Sequence, residues 1–281
     1  MVGELTWPRR LLGLWVPLAA LFVFALFPFA WMAATSLKAN AELYDPAANP
    51  MWIRHPSLVH YIDLFKETNF VLWIGNTMLV ALVSTILSLL LGVMLAYPLA
   101  RMRFPAAGLL AISVAVAYLV PQTLLFVPMA DLINRMKLGD SLSAVMLTYP
   151  TLLVPFCAWL LIGYFKTVPR ELEEAALIDG ASRFQAMTRI VLPLCTPGLL
   201  SAGIFSFTLA QNEFLYALIF LAKSEVRTVP IGVVTELIRG DVFYWGQLMA
   251  GALLGSIPVA IIYSFFVDYY VAGLTAGAVK N

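Results

Sequence analysis

The amino-acid sequence predicts an all-α membrane protein: six transmembrane helices with both termini on the inner side, and a cytoplasmic helix-turn-helix loop between helices four and five. Three observations carry the membrane assignment. The chain is 62% hydrophobic and only 12% charged, whereas a soluble domain averages about half apolar and about a quarter charged residues, so its solvent is lipid. Six stretches, 12–36, 72–100, 105–130, 142–165, 196–222 and 247–271, are long enough to cross a hydrocarbon core about 30 Å thick at about 1.5 Å per helical residue. None alternates as the strands of a membrane barrel must, which leaves helices to satisfy the backbone in lipid.

Each stretch has its own signals. The first follows Arg9 and Arg10, as an export signal would, but its apolar length exceeds the roughly 7 to 15 residues of a signal core, so it is read as an uncleaved span. Pro121 and Pro128 in the third, Pro150 and Pro155 in the fourth and Pro258 in the sixth each remove a backbone donor and are expected to kink or unwind their helices. The fifth carries the one clear intramembrane acid, Glu213, with Gln211 and Asn212 beside it. That cluster either lines a solute pathway or ties helices together. Asp268, Tyr269 and Tyr270 are expected to anchor the inner end of the sixth.

The connections say less. The outer loop 38–70, with Pro46, Pro50 and Pro56, is long, as functional loops often are, although a passive connector fits as well. His55 and His60 lie there without a nearby cysteine and are not expected to hold a metal. Cys157 and Cys195 are not expected to form a disulfide. There is no phosphate-binding loop and no catalytic constellation, so no enzyme is expected and any energy must come from another polypeptide.

Basic residues set the orientation. With the N-terminus inside, Arg9, Arg10, Arg101, Arg103, Lys166, Arg170, Arg183, Arg189 and Lys280 fall on inner segments, nine of the 17 Lys and Arg. The total is nearly balanced. The short turn ARMRF after the second stretch is basic without an acid, whereas the outer loop mixes Lys38, Arg54 and Lys66 with Glu42, Asp45, Asp63 and Glu67.

Between the fourth and fifth stretches runs VPRELEEAALIDGASRFQAMTRIVLP, Val168–Pro193. Pro169 stands where a first helical position would be, acids follow in the first turn, and Gly180 lies just past the end. Ser182 opens a second helix with Gln185 placed to close a capping box, and Pro193 ends it. Leu172, Ala175, Ala176 and Asp179 form one stripe that is apolar but mostly small. Phe184, Met187, Ile190 and Val191 form another that could pack on the span ends. A loop lying among lipid headgroups is one reading. Bulky anchors with Lys and Arg opposite would suit it, and alanines with glutamates suit a protein partner instead.

The spacing EAALIDGASRFQAMTRIVLP resembles, position for position, the EAA loop of permease subunits of binding-protein-dependent ABC importers, at Glu174, Ala175, Ala176, Gly180, Ile190, Leu192 and Pro193. NTMLVALVSTILSLLLGVMLAYPLARMRFP looks like the second span of the maltose-type carbohydrate branch, and QNEFLYALIFL like its fifth. The run DGAS, Asp179–Ser182, is also usual there, whereas polyamine-type relatives tend to read DLGA. Gln211 departs from the branch, which often has Trp at that position, so no stacking ring is available at this site.

The resemblance implies a permease subunit, 1–281 as one domain with a coupling loop at 166–193, forming half of the translocation pathway for a sugar or sugar derivative. Glu174, Ala175, Ala176, Asp179, Gly180, Ser182, Phe184, Ile190, Leu192 and Pro193 would couple it to a separate ATPase. Gln211, Asn212 and Glu213 are the substrate-pathway candidates. Expected partners are a second, homologous permease subunit, two ABC ATPase subunits, an extracytoplasmic substrate-binding protein and the bilayer of a bacterial or archaeal inner membrane, with no nucleic acid. The chain itself is expected to bind no cofactor, ATP and magnesium being used by the ATPase. A permease for a non-sugar solute such as a polyamine or glycerol phosphate shares every motif except DGAS. An ion-coupled secondary transporter would need its ion site in this chain, and one acid in a span offers little material.

Overall fold

A computed structural model describes the backbone of residues 11–276 and the side chains of residues 12–267. Arg9, Arg10, Lys280 and the side chains of Asp268, Tyr269 and Tyr270 lie outside the described residues. In chain order the helices that organise the molecule are α1 (Val16–Ser36), α2 (Val59–Glu67), α3 (Phe70–Arg101), α4 (Ala107–Leu119), α5 (Gln122–Arg135), α6 (Leu142–Thr167), α7 (Arg170–Ile178), α8 (Arg183–Leu194), α9 (Thr196–Gln211), α10 (Leu215–Phe220), α11 (Val229–Leu237) and α12 (Trp245–Ala276). Among the described residues four helical segments, Leu12–Ser36, α3, α6 and Trp245–Val267, are long and apolar enough to cross a membrane, and two bent pairs, α4 with α5 and α8 with α9, bring the candidates by length and composition to between four and six.

Two of the predicted stretches are broken. The third unwinds at Pro121, one of the two outcomes expected of its prolines: α4 and α5 meet at 93°, and there the missing N–H and the restriction on Val120 end the first helix. The fifth does not run on to residue 222 as one helix but stops at Gln211, and α10 begins four residues later, at Leu215. Pro128, Pro150, Pro155 and Pro258 all sit inside continuous helices, so proline alone does not decide where a span breaks. A further departure from an all-α chain is a hairpin of two-residue strands, β1 (Ile238–Arg239) and β2 (Val242–Phe243).

The described residues fold as two compact units, one formed by 11–70 with Val233–Ser256, the other by Val71–Gly232 with 257–276. In the first unit the long outer loop is held by buried charge. Lys38 donates through Nζ to the carbonyls of Asn49 (2.7 Å) and Pro50 (2.8 Å), while Glu42 accepts from the backbone of Arg54 (2.9 and 3.1 Å) and His55 (2.9 Å). The Arg54 N–H is the main cause holding the Glu42 carboxyl below its ordinary value of 4.5, and burial opposes it. These two residues, counted in the sequence only among the mixed charges of the outer loop, are buried.

The second unit has its core where α3, α6 and α9 pack. One cluster joins Val80, Tyr149, Leu153, Phe207 and Tyr216, and another joins Ala96, Leu161, Phe165, Val191 and Ala202. Close packing of α9 on α6 needs Gly198, where an added Cβ would lie 2.4 Å from the Tyr164 ring.

Candidate functional site: a capped hairpin and a cavity between broken helices

The segment between α6 and α9 is rigid by construction. Pro169 is the N-cap of α7, one position earlier than expected, and Glu171 and Glu173 stand in the first turn. At the other end Ala181 N–H bonds to Ala176 O (2.9 Å) and Gly180 N–H to Leu177 O (3.1 Å). That closure demands a left-handed residue, and Gly180 has φ +90°. Ser182 and Gln185 then cap each other reciprocally, Gln185 N–H to Ser182 Oγ at 3.2 Å and Ser182 N–H to Gln185 Oε1 at 2.8 Å. α8 does not end at Pro193 but at Leu194, after a π-type turn over Met187–Val191, and meets α9 at 79°.

Exposure separates the hairpin residues. Glu174, Ala175, Asp179, Gly180, Ser182 and Pro193 are exposed, while Ala176, Ile190 and Leu192 are half-buried. The second stripe is split: Met187 and Val191 join the core, but Phe184 is 70% exposed and packs on no span end. It sits in the first turn of α8, ahead of the part that meets the bundle. With Ile178 at 86% exposure, the turn of the hairpin presents two large apolar side chains outward.

At the root of the hairpin lies an ion pair. Arg101 Nε donates to Glu173 Oε2 at 2.8 Å, the two side chains being 2% and 8% exposed. Tyr97 Oη donates to the other Glu173 oxygen.

The second locus is a cavity of about 450 Å³ lined by Tyr118, Gln122, Tyr149, Thr208, Asn212 and Glu213, among others. Two helix breaks border it, that between α4 and α5 through Gln122 and that between α9 and α10 through Asn212 and Glu213. Unwound backbone at membrane depth is tolerated where it lines a cavity, which is where the break at Pro121 stands. Glu213 is not stranded in lipid. Its Oε1 accepts from Tyr216 N–H (2.8 Å) and Oε2 from Ala217 N–H (3.1 Å), capping α10. Asn212 Nδ2 donates to Thr208 O at 2.9 Å. Gln211 is buried and does not line the cavity, so the structure brings together two of the three pathway candidates. Among the described residues no three His, Cys, Asp or Glu side chains converge as a metal ion would require.

The family described as "Binding-protein-dependent transport system inner membrane component" matches residues 88–275. The chain belongs to this family. The matched range holds both the hairpin and the cavity of the permease. Among relatives, the sulfoquinovosyl glycerol transport system permease protein SmoH of Agrobacterium fabrum is 38% identical over 93% of this chain and 91% of its own. The trehalose/maltose transport system permease protein MalG of Thermococcus litoralis is 31% identical over 92% and 93%. The fold matches that of a bacterial ABC transporter involved in the import of the acidic polysaccharide alginate, with a TM-score of 0.80 and 19% identity over 95% of this chain and 99% of the other. Families of this kind are transport components and not enzymes; the permease is an inner-membrane subunit.

Sequence reasoning missed three residues of the permease that matter locally. Arg101 counts, in a charge tally, as a free inner cation, and Glu173 as one of several acids on an exposed helix. Two signals point to their pairing. Tyr97 and Arg101 stand four residues apart on one face of α3, and adjacent Glu173 and Glu174 point about 100° apart on α7, so one of the two must face inward.

Proposed function

We propose that this permease is a six-span subunit with both termini in the cytoplasm, that it forms half of the pathway of an ATP-driven importer for a sugar or sugar derivative, and that the hairpin 166–193 couples it to a separate ATPase. The bent pair α4 and α5 supplies the third span, and α9 with α10 supplies the fifth. The observation that carries the reading is the hairpin: two short helices locked at a fixed angle by a left-handed glycine and a capping box, with a small-residue stripe and two large apolar side chains left uncovered. A partner can grip such a body and turn it, whereas a lipid-facing loop would bury Ile178 and Phe184 with cations opposite.

The cavity suits a polyol. Thr208, Asn212, Gln122 and the Glu213 carboxylate offer hydrogen bonds, and the Tyr118 and Tyr149 rings offer apolar faces. Named cargoes of relatives, sulfoquinovosyl glycerol, trehalose/maltose and diacetylchitobiose, support the carbohydrate assignment. The proposed assembly adds a homologous permease subunit, two ATPase subunits that use ATP and magnesium, and an extracytoplasmic binding protein, of the kind seen with the alginate transporter.

Crosslinking from Ala175→Cys in inverted membrane vesicles tests the coupling. The expected product is an adduct with the ATPase subunit, and labelling of that cysteine from the outer face instead would end the proposal. Uptake driven by ATP and insensitive to collapse of proton and sodium gradients is the expected transport result.

A further inference from the structure

The ion pair at the root of the hairpin is unused by the docking role just proposed. Arg101 is the last residue of α3, and its guanidinium reaches three other pieces of chain: Glu173 in α7 through Nε, the carbonyls of Phe165 (3.1 Å) and Val168 (2.7 Å) through Nη1, and that of Pro169 (3.3 Å) through Nη2. Phe165 belongs to the last turn of α6. One planar cation thus holds the end of α3, the end of α6, the two-residue linker and the first turn of α7 together.

We propose that Arg101, Glu173 and Tyr97 are positioning residues that clamp the coupling helix to the second span, so that a displacement of the hairpin by the ATPase is carried directly into α3. The inference rests on the coupling reading. Without the clamp, α7 hangs from α6 by Val168 and Pro169, both extended (ψ 128° and 134°), which is a hinge. A guanidinium fork sets direction as well as distance, and the Tyr97 hydroxyl on the second carboxylate oxygen stops Glu173 from swinging. Glu173 is committed inward while exposed Glu174 remains for a partner, so the adjacent acids divide holding and docking between them. Hydrophobic replacements of buried ion pairs are often as stable as the pair itself. A charged pair at this joint therefore serves geometry in preference to stability.

The test uses the assembled complex of both permease subunits with the ATPase pair. Leu209→Cys, on the cavity wall, reports accessibility to a membrane-impermeant maleimide, the native Cys157 and Cys195 being buried. In the parent, ATP with vanadate changes the labelling rate by about fivefold or more. In the neutral double variant Arg101→Met/Glu173→Leu, ATP hydrolysis and the Ala175→Cys crosslink to the ATPase persist, while the change in labelling falls below about twofold. Arg101→Lys, which keeps the charge without the fork, shows the same loss, and Tyr97→Phe an intermediate one. A parental response in the double variant or in Arg101→Lys overturns the clamp. Absence of the Ala175 crosslink in the parent overturns the coupling reading, and the clamp with it.

Discussion

Glu173 and Glu213 are both acids in or beside apolar helices, and the fold treats them in opposite ways. Glu173 meets a full cation and a phenol, with almost no surface left to water. Glu213 meets two backbone amides at the start of α10 and keeps an edge on a cavity. A carboxylate neutralised by a guanidinium ties elements into one body. A carboxylate held by amides at a helix break stays available to whatever fills the space beside it. The first arrangement is suited to transmitting force and the second to meeting a hydroxylated solute.

The sharpest way to break this contrast is to leave each carboxylate without its partner. Arg101→Met alone strands the Glu173 charge in the core, and removing one member of a buried pair costs about 3–5 kcal/mol; thermal unfolding in detergent should show a large loss that Glu173→Leu then mostly reverses. Equal instability of the single and double variants would mean that the side-chain volumes and not the charges matter there. Next in size is Gly180→Val. A side chain at φ +90° is strained by more than about 1–2 kcal/mol, and because the strain acts on the angle of the hairpin, uptake in vesicles should fall much further than the amount of protein in the membrane.

At the other acid, Glu213→Ala removes both acceptors from α10 and should cost about 1–2 kcal/mol, whereas Glu213→Gln keeps one and costs less. If the carboxylate also meets solute, the two variants will lose uptake alike despite their different stabilities; uptake that follows stability instead would assign Glu213 to capping alone. Ser182→Ala, which opens the capping box, should cost about 1 kcal/mol, visible as faster amide exchange in the first turn of α8. The smallest effect concerns the outer loop. The lowered pKa of Glu42 means that its contribution is complete above the ordinary value of 4.5 and is lost as pH falls through the lower folded value. Protease sensitivity of residues 45–56 should rise only in that acid range, and Glu42→Gln should show it already at neutral pH.

Much of this was legible in the chain. The hairpin could be read nearly residue by residue because its signals are local: Gly180 needs a left-handed turn wherever it sits, and Ser182 finds Gln185 three residues away in any first turn. Long apolar stretches likewise declare themselves, since lipid demands closed helices of a set length. The misreadings share a cause. Pro121 breaks a helix while Pro128, Pro150, Pro155 and Pro258 do not, and nothing in the residues beside each proline records which will break. Phe184 has the spacing to join Met187 and Val191 but lies where α8 has not yet reached the bundle.

By itself, then, the order of amino acids determined the solvent, the helical class, the paired caps of the hairpin and the family that those caps announce, because each depends on composition or on neighbours within a turn of helix. Only the tertiary structure decided that Arg101 meets Glu173, that Glu213 caps a second short helix, and that two breaks open on one cavity. The first joins residues 72 positions apart and the last brings Gln122 to Tyr216, 94 positions apart, while the Glu213 cap is local but exists only because the helix stops at Gln211. Nothing in local periodicity records which distant groups will be buried together, and burial is what turns a surface charge into a joint.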